Sequence, residues 1–95
     1  MPLTTVAIEI SNGKMETLYY PSSVVKDFFQ VDQQLKFLEF VELALNSLKE
    51  SDKRVTAKYG YPCIGCAILK QRLIKWEQLY KYETVKIVKI HEFIY

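Results

Sequence analysis

A two-layer α+β domain is what this sequence predicts: a small antiparallel sheet, made of an N-terminal hairpin and a C-terminal strand, covered by two or three helices. Three observations carry the expectation. Asn12-Gly13 separates two segments of strand type. Two stretches with helical apolar spacing flank Tyr59-Gly60-Tyr61-Pro62-Cys63. The tail from Thr84 onward is β-branched and aromatic. Ninety-five residues give room for one domain, residues 1–95, with a single core.

Val6, Ile8 and Ile10 alternate with Ala7, Glu9 and Ser11, the pattern of a half-buried strand. Asn12-Gly13 is a strong hairpin signal, and Met15 to Tyr20 reads as the returning strand, ended by Pro21. The register stays open at this point. A two-residue turn sets Glu9 opposite Glu16, a costly like-charge pair. A three-residue loop, Ser11-Asn12-Gly13 with Gly13 left-handed, avoids it. Ser22 or Ser23 can cap a short helix through Val24, Val25, Phe28 and Phe29. Its β-branched pair weakens helix propensity, so packing must hold it.

Asp32 is the expected cap of a long helix running to Tyr59. Leu38, Val41, Leu45, Leu48, Val55 and Tyr59 keep helical spacing, with Phe37 and Ala44 widening the stripe. Asp52 falls where that stripe calls for an apolar residue. A helix of this extent would span about 39 Å, more than a compact domain this small is wide. Either it bends near Lys49–Lys53, or one end stands clear of the core, which would account for Asp52. Gly60 suits a left-handed helix end and Pro62 a first helical position. The last helix is therefore expected from Pro62 or Cys63, with Cys66, Leu69, Leu73, Trp76 and Tyr80 as its stripe. A lone hairpin is marginally stable. Val85, Ile87, Val88, Ile90, Phe93 and Ile94 supply a third strand for its edge.

Hydrophobic residues at 49% and aromatics at 14% argue against disorder. The aromatic excess also fits an apolar surface kept for a protein partner, or for a second copy along the long helix. Net charge is +2, divided as −3 over residues 1–48 and +5 over residues 49–95. Such a split can steer an anionic partner or draw two copies head to tail, and it also describes two differently solvated halves. The start, Met1-Pro2-Leu3-Thr4-Thr5, has no basic region or apolar signal core, and no run approaches a membrane span. Two cysteines without an export signal point to a cytoplasmic, reducing location.

Cys63 stands at the start of a helix, where backbone N–H groups and the helix dipole favour a thiolate. This is the basis of one functional alternative, a small enzyme or thiol-dependent protein using Cys63. The Cys63-Ile64-Gly65-Cys66 spacing matches disulfide oxidoreductases, but there the motif follows a strand in a βαβ setting. Here it follows a helix, and two small buried residues under the helices is the simpler reading. Two cysteines and His91 are too few for zinc, so no metal or cofactor is expected. His91 reads as a strand residue facing water. Adjacent Lys26 and Asp27 either orient a ligand or are solvated. Lys49, Lys53, Arg54 and Lys58 share one helix, and Lys70, Arg72, Lys75 and Lys81 the next. A helix-turn-helix needs a shorter first helix and nucleic-acid binding a more basic chain, so a nucleic-acid-binding regulator is only a second alternative. No glycine-rich phosphate loop is present.

Two segments carry a resemblance. Tyr20-Pro21-Ser22-Ser23-Val24-Val25-Lys26-Asp27-Phe28-Phe29 resembles the Ser-Pro-Ser-x-Val-Val-Lys-Asp-Tyr core of a small bacterial family described as nitrogen-starvation-response proteins. Arg54-Val55, then Lys58-Tyr59-Gly60-Tyr61-Pro62-Cys63, resembles its second signature, an Arg-Val ahead of Tyr-Gly-aromatic-x-Cys. Leu38-Glu39-Phe40-Val41 falls between them as in the family. Pro21, Ser22, Lys26, Asp27, Tyr59, Gly60 and Cys63 match the motifs. Cys66 does not, since the family tends to a small residue nearby, and Ser11 stands where it often has a proline. The resemblance implies a bacterial protein encoded beside a nitrilase in a nitrogen-scavenging gene cluster, and it implies no particular reaction. The expected function is thus a non-enzymatic interaction or accessory protein of the nitrogen-stress response, working as a homodimer or with a protein partner. Ser22, Lys26, Asp27, Tyr59 and Cys63 are the candidate ligand or partner surface. They would form one pocket if the two signatures meet beside Cys63, and otherwise brace the helix–sheet junction.

Overall fold

A computed structural model describes residues 3–20 and 23–93. Strand β1 (Leu3–Ile10) turns into β2 (Met15–Tyr20). A 3₁₀ turn follows at Ser23–Asp27. Then come β3 (Gln34–Lys36), α1 (Phe37–Tyr59), α2 (Ile64–Leu79) and β4 (Thr84–Phe93). The four strands form one antiparallel sheet in the order β2-β1-β4-β3. The expected α+β class, with hairpin and C-terminal strand in one sheet, is what the chain adopts.

The hairpin takes the three-residue loop. Ile8 stands opposite Glu16 and Glu9 opposite Met15, which keeps the two glutamates apart. Gly13 is left-handed at φ 96°, and Gly13 N–H donates to Ile10 O at 2.8 Å. β4 joins the other side of β1, its register slipping by one residue at Ala7/Ile8. That bulge lets Val85 and Ile87 face the core on one side of the slip and half-buried Ile90 on the other.

The alternating residues Thr4, Val6, Ile8 and Ile10 of β1, with Leu18 and Tyr20 of β2, turn one sheet face to the helices and are all buried. From α2, Cys66, Leu69, Leu73 and Trp76 meet them, with Tyr80 just beyond the helix. This is the stripe the sequence led us to expect. Phe37 lies between Phe40 and Tyr80, with ring centroids 5.6 and 5.4 Å apart. Each such aromatic side chain contributes roughly 1.5–3 kcal/mol by leaving water.

Three expectations need correction. Asp32 does not cap a helix. It is left-handed at φ 70°, and Asp32 N–H donates to Ile87 O at 2.7 Å. Residues 34–36 instead form the edge strand β3, because pairing with β4 satisfies backbone groups that a longer helix would have left that strand to expose. The helix then starts at Phe37, whose N–H donates to Glu83 O at 3.0 Å, with no side-chain cap from Lys36. The buried face of α1 is also rotated from the expected one. Leu38 is 46% exposed and Tyr59 38% exposed, whereas Phe40, Ser47 and Ser51 are buried. Finally, Pro62 lies outside α2: the helix starts at Ile64, and Cys63 is its N-cap. Of the two ways proposed for housing a long α1, the second applies. The helix is uninterrupted, about 35 Å long at 1.5 Å per residue, and Thr56, Ala57, Lys58 and Tyr59 of its last turn are exposed. Among the described residues, no helix is long and apolar enough to cross a membrane.

Candidate functional site

The elbow between α1 and α2 concentrates the chemistry of this chain. Gly60 ends α1 in the left-handed region at φ 78°, its N–H donating to Thr56 O at 2.8 Å. Glycine takes this conformation without the Cβ clash other residues meet. Tyr61 and Pro62 carry the chain across to Cys63, whose extended backbone leaves it at the N-cap of α2. Cys63 Sγ accepts a hydrogen bond from Cys66 N–H at 3.1 Å, the role a serine or aspartate oxygen usually plays at this position.

Cys63 and Cys66 are buried, as the sequence suggested, and they are joined by a disulfide. The helical reach across three residues makes this possible, with the two Cα atoms 5.2 Å apart, inside the range a disulfide spans. Asp52 reaches the same point from α1. Its Oδ1 accepts from Cys63 N–H at 2.8 Å, satisfying a helix-terminal donor. Asp52 therefore does more than mark a helix end leaving the core, which was the explanation offered by its place in the stripe. An Asp52 carboxylate oxygen and both sulfurs lie within 4.8 Å of one another.

Two cavities flank this group. One, of about 270 Å³, is lined by Leu45, Leu48, Asp52, Cys63 and Cys66, with Lys49 and Lys70 also on its wall. The other, of about 380 Å³, is lined by Val55, Tyr59, Tyr61, Cys63, Ile64 and Gly65. Cys63 belongs to both walls. The Tyr59 and Tyr61 rings stand 5.9 Å apart beside the second.

Of the residues singled out from the sequence, Tyr59 and Cys63 share a cavity wall. Lys26 and Asp27 line neither cavity beside Cys63. They sit exposed on the 3₁₀ turn, and Lys26 Nζ pairs with Glu92 Oε2 on β4 at 2.9 Å. Ser22 lies outside the described residues. His91 is exposed on β4, its ring 4.2 Å from that of Phe93 in an edge-on arrangement. The basic residues are dispersed: Lys53 pairs with Glu50, and Arg72 pairs with Glu16 while covering the Trp76 ring. Asp52 was the residue missed as a member of the site. The available signal was a carboxylate standing in the apolar stripe of α1.

No curated protein and no solved structure matches this chain. The family model described as nitrogen starvation-induced protein NitG matches residues 5–93, nearly the whole length and both signature segments. The chain belongs to the nitrogen starvation-induced protein NitG family.

Proposed function

We propose that this nitrogen starvation-induced protein acts by binding another protein surface through the elbow, as an accessory factor rather than as an enzyme. The observation that carries the reading is a continuous apolar surface at the elbow. Ile64 is 73% exposed, Ile68 59% and Tyr61 58%, and Tyr19 is exposed beside them. Gly65 ties the surface together, for it lines the cavity of Tyr59, Tyr61 and Ile64 and also the smaller one of Tyr19, Ile68 and Arg72. Exposed aromatic and branched aliphatic side chains clustered in this way mark interfaces. The outward side of α1 is different in kind, carrying Glu39, Glu42, Asn46, Lys49 and Lys53. A second copy would accordingly meet the first at the elbow rather than along the long helix.

The nitrilase neighbourhood implied by the family resemblance makes enzymes of nitrogen scavenging the first partners to test. Light scattering behind a sizing column, with and without such an enzyme, gives the mass of any complex. The native chain is expected to form a complex, with itself or the enzyme, that Ile64→Lys with Ile68→Lys abolishes while circular dichroism stays unchanged. Complex formation indifferent to these substitutions, or a monomer that binds nothing, contradicts the reading.

A further inference from the structure

We propose that Cys63 and Cys66 form a reversible dithiol–disulfide site that exchanges with carboxylate-bearing, low-molecular-weight disulfides, with Cys63 as the attacking sulfur and Asp52 as proton carrier. The inference goes beyond partner binding and stands without it. Four observations carry it. The two sulfurs are already joined. Cys63 lies on the walls of both cavities, Cys66 only on that of the first, so Cys63 is the more approachable of the two. Cys66 N–H points at Cys63 Sγ from 3.1 Å. In the reduced chain that donor, at the start of a helix, favours a thiolate on Cys63 against the opposing charge of the nearby Asp52 carboxylate. The Asp52 carboxylate lies within 4.8 Å of both sulfurs and is fixed by Cys63 N–H.

The substrate class follows from access and charge. Both cysteines are buried, so the sulfur is met through the open cavity of about 270 Å³, which takes one arm of a small disulfide more readily than the surface of a folded protein. Its wall carries Lys49 and Lys70 against the single carboxylate Asp52, a net positive lining that attracts an anionic disulfide.

The exchange is balanced as two displacements. The Cys63 thiolate attacks one sulfur of the disulfide, forming a mixed disulfide and expelling the first thiolate, which takes up the Cys63 proton from solvent. Asp52 accepts the Cys66 proton. The Cys66 thiolate then attacks Cys63 Sγ, closing the internal disulfide and expelling the second thiolate, to which Asp52 passes the proton. Two protein thiols are oxidised and the small disulfide is reduced to two thiols. Excess small thiol reverses both steps.

The test uses the reduced full-length chain, freed of reductant, with oxidised glutathione as the anionic probe and 2-hydroxyethyl disulfide as the neutral one. Intact mass is followed in time. Cys66→Ser is expected to accumulate one glutathione, and Cys63→Ser to react at least tenfold more slowly. The preference for glutathione over the neutral probe should fall several-fold in Lys49→Gln with Lys70→Gln. Asp52→Asn keeps an oxygen for Cys63 N–H. It should slow ring closure about tenfold and alter its pH profile. Circular dichroism of each variant separates chemistry from misfolding. The proposal is overturned if folded Cys66→Ser takes up no glutathione while the same chain in denaturant does, or if the native disulfide resists reduced glutathione until the chain unfolds. Equal rates with both probes overturn the assigned substrate class, and an unchanged closure rate in Asp52→Asn overturns the role of Asp52.

Discussion

Tyr20 shows how a single buried polar atom shapes this core. Its hydroxyl is paired with Ser47 Oγ at 3.1 Å, and the Ser47 hydroxyl donates to Ala44 O at 2.7 Å. Burial pushes the Tyr20 phenol well above its ordinary range, the Ser47 bond working against that shift. A raised folded value means that the stability is complete below about pH 10, where unfolded tyrosine titrates, and is lost as pH rises further, because the unfolded chain releases the proton first. Urea unfolding at pH 9 and pH 11 should therefore show an alkaline loss in the native chain that is smaller in Tyr20→Phe. At the elbow, Asp52→Ala removes the acceptor of Cys63 N–H and should cost about 1 kcal/mol, while Asp52→Asn costs less. Gly60→Ala has open space for its methyl group, yet forces a left-handed alanine, at about 1 kcal/mol. Denaturant midpoints of the three variants check this ranking. Cys63 was legible as a helix-start residue from Gly60 and Pro62. Its partnership with Asp52 was not, since it depends on how the turn brings two helices together.

Among the elements, α2 was readable from its apolar spacing, and β4 from its β-branched and aromatic residue types, its alternation being broken by the bulge. β3 was not. Gln34, Leu35 and Lys36 have no strand signature of their own, and they are extended because the edge of β4 offers partners. Leu35 pairs with Val85, and Ile87 N–H donates to Gln33 O at 2.9 Å. NMR should accordingly find cross-strand contacts between residues 34–36 and 84–86, and slow exchange of the Ile87 amide. Helical contacts through residues 32–36 would contradict the pairing. In α1 the stripe was misplaced because two of its inward positions, Ser47 and Ser51, are polar. Reading apolar residues alone put Leu38 and Tyr59 inside and left Phe40 out. Phe40 packs 5.3 Å from Phe29 and 5.6 Å from Phe37. Phe40→Ala should therefore destabilise the fold by about 3–5 kcal/mol, whereas Leu38→Ala should change little. Thermal melts of the two variants make the comparison.

For the molecule as a whole, exposed apolar side chains from β2, the turn and α2 gather at the elbow. The class of fold was visible in the sequence because strand and helix periods change cleanly along the chain. The exposed surface was not, because the residues that form it, Tyr19, Tyr61, Ile64 and Ile68, come from separate elements and look like ordinary core candidates until the turn places them. The family signature segments were read as one candidate site, yet the cavities beside Cys63 take in Tyr59 and not Lys26 or Asp27. Hydrogen–deuterium exchange of the chain, alone and in its complex, addresses the central claim most directly. Protection gained on binding at residues 59–68 and around Tyr19, with the outward side of α1 unchanged, is the predicted result; protection gained along residues 38–53 instead, or nowhere, would contradict it.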